Sequence, residues 1–217
     1  MNNDGNVIVI IGRRETGKSV LVRDVLFSHQ DIPFGTILSG KDCYSDIVPK
    51  SFMHNEYTSS SIHKILNRQK TILKENLDDT KVDPRHVVIF DGCFHDARWT
   101  SDAFIHELIM HAIDYKILLV ITLTYPLGIQ PHLRNSINYI FILQENVTNN
   151  RRRIYENYAS LFPSFHDFCI ALDGCTNEYD CLVIDNTSKS TKIEDRFFYY
   201  NVKQHSDFQL GAKEFWN

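Results

Sequence analysis

Short runs of β-branched and other apolar residues recur along the chain, at positions 7–11, 36–38, 87–90, 117–122, 139–143, 182–184 and 197–202. Runs this brief, apolar at consecutive positions, predict strands buried on both faces. Helical spacing lies between them. Over 101–114, Phe104, Ile105, Leu108, Ile109, Ala112 and Ile113 form one apolar stripe behind the cap candidates Thr100 and Ser101. A second helix is expected over 152–162, where Ile154, Tyr155, Tyr158 and Phe162 stack before Pro163; Ser164 with Asp167 then has the spacing of a cap that opens another short helix. Strand, helix, strand in alternation predicts an α/β fold, a mostly parallel sheet with helices on both faces. Three polar stretches, 39–61, 74–85 and 186–196, read as loops, the first long enough to be functional.

No internal repeat and no sharp shift in composition divides the 217 residues, so a single domain is expected. Hydrophobic residues at 43% and charged residues at 23% exclude a disordered or collagen-like chain. With 23 Lys and Arg against 27 Asp and Glu, the net charge of −4 requires any DNA contact to come from a local basic patch. The apolar run near the start is too short and wrongly flanked for a signal peptide, and no later run approaches the roughly 18 residues of a membrane span. A chain that stays on the cytosolic side is the expectation. Cys43, Cys93, Cys169, Cys175 and Cys181 are odd in number and form no CxxC pair, which predicts reduced, mostly buried thiols and makes the sequons at Asn146 and Asn186 irrelevant.

The strongest chemical signal follows the first strand. Gly12, Arg13, Arg14, Glu15, Thr16, Gly17, Lys18 and Ser19 satisfy G-x-x-x-x-G-K-[ST], with a plausible helix over 20–30 behind them. Such a loop aims backbone N–H groups at phosphates, with Lys18 to neutralise the β- and γ-phosphates of ATP and the Ser19 hydroxyl to ligate Mg²⁺. Its chemical partner is an acid at the end of a neighbouring apolar strand, and HVVIFD supplies Asp91, placed to hold Mg²⁺ through water.

Other chemistries fail on spacing. His106 and His111 in HELIMH are five residues apart, about 140° round a helix, where a zinc pair needs HExxH. No GxSxG elbow exists, and Cys169, Cys175 and Cys181 suit core positions better than metal ligands. The basic run Arg151-Arg152-Arg153 fits a solvated helix start and also a phosphate or DNA contact, the former being favoured.

Beyond these motifs, most of the chain resembles the genome-packaging ATPases of large nucleocytoplasmic DNA viruses, the poxvirus-type branch of the FtsK/HerA superfamily of P-loop motors. GRRETGKS, VVIFDGCF, ITLTYPLGIQPHLRNSINYIFIL and above all YENYASLFPSFHDFCIALDGCTNEYDCLVIDN carry the resemblance. It implies a RecA-like P-loop NTPase with an added strand between the P-loop strand and the Mg²⁺-acid strand, and a single ATPase domain over 1–217 whose residues 151–217 form a helical and β extension. It implies too a homo-oligomeric ring that moves double-stranded DNA into a capsid, with capsid or packaging-portal proteins as partners. The expected setting is the host cytoplasm at the viral factory, and the virion. By the same resemblance Arg134 matches an arginine before the last core strand that reaches a neighbour's γ-phosphate; a surface salt bridge is the plainer reading of that residue.

Four positions depart from the family pattern. Gly92 stands where a second acid usually orients the attacking water, and Asp96 is the candidate substitute. Thr124 replaces a polar sensor glutamine. Ala112-Ile113-Asp114-Tyr115 replaces G-R-H-Y and so lacks an arginine, and Glu15 replaces a favoured glycine beside the triphosphate. These losses keep open a degenerate, hydrolysis-deficient virion subunit of the same fold. A small nucleoside or nucleotide kinase with Arg151 to Arg153 in a lid is a further alternative, opposed by the 155–186 segment. A GTPase is disfavoured because no N-K-x-D motif occurs.

Overall fold

A computed structural model describes residues 5–75, 82–92, 99, 101–205 and 207–216. Strand β1 (Asn6–Ile11) is buried at every position. Successive side chains of a strand point to opposite faces. Val7, Val9 and Ile11 accordingly enter one apolar cluster while Ile8 and Ile10 enter another, one on each side of the sheet. This is the double burial that the unbroken apolar runs predict.

The remaining strands are β2 (Phe34–Ser39), β3 (Met53–His54), β4 (His86–Asp91), β5 (Ile117–Leu123), β6 (Tyr139–Ile142), β7 (Cys181–Asp185) and β8 (Phe197–Tyr200). They form one sheet in the order β3-β2-β4-β5-β1-β6-β7-β8. Pairing is parallel from β3 through β6 and antiparallel for β6 with β7 and β7 with β8. β5 lies between β1 and β4, which is the added strand that the resemblance implies.

Among the described residues five helices cover the sheet: α1 (Lys18–Phe27), α2 (Ser59–Glu75), α3 (Ala103–His111), α4 (Thr148–Tyr158) and α5 (Phe165–Cys175). The two faces are covered differently. Buried residues of α2, α3, α4 and α5 join the cluster of Val7 and Val9. On the other face α1 supplies Leu21, Val22, Val25 and Leu26, and irregular chain completes the cover through Tyr44, Ile47, Val48, Phe52, Phe208 and Leu210. Asp24 of α1 ties the terminal segment down, accepting from Tyr200 Oη (3.0 Å), Lys203 N (3.0 Å) and His205 Nε2 (2.7 Å).

Several boundaries differ from the pattern-based expectation. The 39–61 stretch holds a 3₁₀ turn (Lys50–Phe52), β3 and the first turn of α2. α2 has no counterpart in the sequence reading, because its buried stripe of Ile62, Ile65 and Leu66 continues into Gln69. Gln69 is fully buried, and its amide is satisfied by Pro84 O and Tyr115 O, both at 2.7 Å. α3 is capped by Asp102, which accepts from Phe104 N, rather than by Ser101; Thr100 lies outside the described residues. α4 starts earlier than 152 because Glu145 Oε1 accepts from Val147 N (2.9 Å) and so sets the entry to the helix. Ser164 does cap α5, its Oγ accepting from Asp167 N at 3.1 Å.

Candidate nucleotide-binding site

The loop after β1 is anchored by Gly12 N, which donates to Leu123 O at 3.0 Å, so its base is tied to the end of β5. A Cβ at Gly12 would lie 2.5 Å from Thr16 Oγ1, whose hydroxyl donates to Arg13 O at 2.9 Å. The loop then turns through two left-handed positions, Glu15 (φ 64°) and Gly17 (φ 94°). Among the described residues, no N–H of Arg13, Arg14, Glu15, Thr16 or Gly17 has a hydrogen-bond partner. The free N–H groups of the first turn of α1 follow directly, and together they form a contiguous run of donors suited to an anion.

Lys18 sits at this opening with Nζ donating to Gly12 O (2.7 Å) and Arg13 O (2.5 Å). Burial lowers its pKa, the Asp91 carboxylate works in the other direction, and Lys41 and Arg14 lower it further. Arg13 and Arg14 are exposed at the loop's rim. Glu15 is exposed as well, and its left-handed backbone accounts for the glycine that the family favours there.

Asp91 ends β4 and is 8% exposed. Its Oδ2 accepts from Ser19 Oγ at 2.9 Å and from Tyr44 Oη at 2.6 Å, and its Oδ1 accepts from Thr122 Oγ1 at 2.8 Å. The predicted pair of loop hydroxyl and strand-end acid is therefore in direct contact, across the width of the intervening strand β5. Thr122 Oγ1 also accepts from Gly92 N at 3.1 Å, which fixes the turn leaving β4. Burial pushes the Tyr44 phenol well above its ordinary pKa and the Asp91 charge adds to this, so Tyr44 stays a protonated donor. Its loop is pinned to α1 by the Arg23 fork on Asp46, at 2.7 and 2.6 Å.

Sequence reasoning missed Tyr44, Thr122 and Lys41. Thr122 had a usable signal, a hydroxyl inside an otherwise apolar strand, which needs a buried partner. Tyr44 and Lys41 had none, since only the return of the 39–52 segment over α1 brings them in. Thr124 is exposed just past the end of β5, beside the anchored Gly12. Gly92 has φ 65° with open space where a Cβ would stand. Asp96, and Cys93 with it, lie outside the described residues.

Arg134 is not brought to this site. Its segment enters β6 at the opposite end of the parallel strands, where Asn138 N donates to Val7 O at 2.9 Å. Arg134 Nε donates to Ile129 O (3.0 Å), Nη1 donates to Asn157 Oδ1 (2.5 Å), and the guanidinium lies 5.2 Å from the Tyr158 ring centre. These groups share an open pocket of about 290 Å³ with Asn186 and Arg196. Among the described residues no carboxylate pairs with either guanidinium, so the pocket presents two uncompensated positive charges.

The Arg151 to Arg153 run is mostly engaged within the chain. Arg151 forks onto Asp173 at 2.9 and 2.5 Å, Arg152 stacks over Phe165 and Arg153 over Tyr125. His111 pairs with Asp114 at 3.0 Å on the surface. Among the described residues no cluster of His, Cys, Asp or Glu is arranged to hold a metal ion by itself, and no helix is long and apolar enough to cross a membrane. Cys43, Cys169, Cys175 and Cys181 are free thiols.

No family model matches the chain. An uncharacterized protein of Acanthamoeba polyphaga mimivirus is 34% identical over 217 residues, covering 96% of this chain and 76% of that one. An uncharacterized protein of Invertebrate iridescent virus 6 is 33% identical, covering 97% and 83%. Among solved structures, the genome packaging NTPase B204 from Sulfolobus turreted icosahedral virus 2 in complex with ATP-gammaS aligns with a TM-score of 0.61 at 18% identity, covering 93% of this chain and 98% of that one. The EssC ATPases 2 and 3 from Geobacillus thermodenitrificans align with a TM-score of 0.62 at 13% identity, covering 94% and 41%. Those structural likenesses establish the fold as that of an α/β P-loop NTPase.

Proposed function

The chain belongs to the poxvirus-type genome-packaging ATPases of large nucleocytoplasmic DNA viruses, and from that membership we propose that it hydrolyses ATP with Mg²⁺ to drive double-stranded DNA into a capsid. The observation that carries the reading is the 2.9 Å contact of Ser19 Oγ with Asp91 Oδ2 beside a loop of unpartnered N–H groups. The donor set fits a triphosphate: five loop N–H groups, the start of α1 and the Lys18 ammonium. The acceptor set fits a hydrated Mg²⁺, since Ser19 and Asp91 are a hard oxygen pair of the kind that cation takes. When bound, Mg²⁺ neutralises charge developing on the transferring phosphoryl group.

In this reading Lys18 leaves the carbonyls of Gly12 and Arg13 and follows the β- and γ-phosphates. Tyr44 and Thr122 hold the Asp91 carboxylate from its two oxygens, so its orientation is set before ligand arrives. Arg134 acts across a homo-oligomeric ring on a neighbour's nucleotide, with Arg196 in the same pocket. Pore loops grip DNA through its backbone, capsid or portal proteins dock the ring, and the setting is the viral factory in the host cytoplasm and the virion.

The second reading is a subunit that binds nucleotide and scarcely turns it over. Gly92 favours it, because a residue without a side chain cannot orient water. Steady-state ATP hydrolysis with and without double-stranded DNA, beside Lys18→Ala, decides between them. DNA-stimulated turnover absent from the variant supports the motor; turnover no higher than in the variant, at concentrations where the protein oligomerises, supports the subunit.

A further inference from the structure

We propose that Tyr179 is the platform on which the base of the bound nucleotide stacks. This rests on the P-loop reading above and adds the residue that recognises the nucleoside end. Tyr179 is 41% exposed, yet its side chain packs against Gly17 of the phosphate loop. A Cβ at Gly17 would overlap Tyr179 Cδ1 and lie 3.1 Å from its Cγ. Gly17 is thus demanded twice, by its φ of 94° and by the ring above it.

The ring is delivered by a built turn. α5 ends at Cys175, and the next residue, Thr176, is buried with Oγ1 donating to Leu172 O at 2.7 Å. Glu178 adopts φ 56°, and Asp180 N closes the turn on Asn177 O at 3.0 Å. The Asp180 carboxylate then clamps the turn to the strand beyond: Oδ1 accepts from Val202 N (3.1 Å) and Asn201 Nδ2 (2.9 Å), and Oδ2 accepts from Tyr199 Oη. A large apolar face is held rigidly half in water, at little further entropic cost to a ligand that covers it.

The order of strands decides which end of a nucleotide meets this ring. β5 and β4, with Asp91, lie on one side of β1, while β6 and β7, which Tyr179 precedes, lie on the other. A triphosphate whose terminal group faces Ser19 and Asp91 therefore sends its ribose and base toward Tyr179. Stacking is tolerant of base identity because every base has a π-face, and purines, with two rings, gain more than pyrimidines. The ligand class is a nucleoside triphosphate, purine preferred. The TNEYD stretch, which has no catalytic logic of its own, acquires a role on this account.

The experiment compares two probes on the full chain, Mg²⁺–ATP and inorganic tripolyphosphate, by titration calorimetry. Tyr179→Ala is expected to weaken ATP about tenfold or more while tripolyphosphate changes less than about twofold, and Tyr179→Phe is expected to match the wild type for both. Unchanged ATP affinity in Tyr179→Ala, or an equal loss for both probes, overturns the proposal, the latter by showing a ring that merely props Gly17. If Tyr179→Ala does not fold, Tyr179→Leu fills the space over Gly17 without an aromatic face and has to reproduce the selective loss. Failure of the P-loop reading has a different signature, Lys18→Ala binding both probes like the wild type.

Discussion

Tyr44 and Ser19 donate to the same carboxylate oxygen, Oδ2 of Asp91, at 2.6 and 2.9 Å. One donor comes from the phosphate loop and the other from the irregular segment after β2, so the acid proposed to serve Mg²⁺ also closes the fold over α1. A buried carboxylate that loses one of its donors keeps the cost of its own desolvation. Tyr44→Phe is expected to lower unfolding free energy by about 1–2 kcal/mol and to raise the Mg²⁺ concentration needed for half-maximal nucleotide binding. Urea unfolding and Mg²⁺ titration measure the two effects; a variant equal to wild type in both would show that Ser19 and Thr122 suffice to hold Asp91.

Gly92 can be tested by restoring what it lacks. Its φ of 65° penalises most side chains, but Asp tolerates the left-handed region better than others, and a Cβ there meets nothing within 4 Å. Gly92→Asp is expected to cost about 1 kcal/mol of stability and to raise ATP turnover, since a positioned acid is worth about 10²-fold or more. Turnover at or below the wild-type rate in a folded variant would mean that the chain already orients water through another group, or that more than this acid is missing.

How far the site could be read from sequence follows from what fixes each part. Gly12 to Ser19 and Asp91 were legible because phosphate chemistry imposes residue types at a set spacing, with an apolar strand before each. Tyr44 was not, because its role depends on where a loop returns, and nothing in KDCYSD encodes that return locally. α2 was hidden by Gln69, a polar residue in the middle of its buried stripe whose partners, Pro84 O and Tyr115 O, are set by tertiary structure. Asp102 outcompeted Ser101 as the cap of α3 by a choice between adjacent capping residues that propensity does not resolve. The 155–186 segment was legible only as a resemblance; its physical content, α5 and a turn that packs Tyr179 against Gly17, is set by tertiary structure.

On the proposed function Arg134 has two separable tasks. Within the chain it holds Ile129 O and Asn157 Oδ1 together, which is a structural duty. Across a ring its charge would act on a neighbour's nucleotide. Arg134→Ala is expected to leave ATP affinity unchanged and to lower turnover at least tenfold only at concentrations where the ring assembles. Asn157→Ala removes the tether and keeps the guanidinium, so it is expected to match Arg134→Ala in lost stability while retaining turnover. An equal fall in turnover for both variants, or a fall that appears in monomers, assigns Arg134 to structure alone.

His86 is expected to make the fold sensitive to mild acid. It is 5% exposed at the start of β4, with Nε2 3.0 Å from Thr36 Oγ1 and Nδ1 accepting from Arg68 Nη1 at 3.2 Å. The Arg68 donor requires a lone pair on Nδ1, so the neutral ring carries its proton on Nε2 and donates to Thr36. Burial pushes the pKa down to about 3, with the Arg68 charge adding to the effect. The unfolded chain binds this proton near pH 6.5 and the folded chain does not until about pH 3. Its contribution to stability is therefore complete above pH 6.5 and is lost as pH falls toward 3, by up to about 1.4 kcal/mol per pH unit. Between pH 6.5 and 5, before most carboxylates titrate, wild-type stability is expected to drop by about 2 kcal/mol. His86→Asn is expected to be less stable at pH 7.5 but nearly flat across that window, because it has no proton to bind. Denaturant unfolding at pH 7.5, 6.5, 5.75 and 5 measures both slopes, and an equally steep fall in the variant would assign the acid sensitivity to another group.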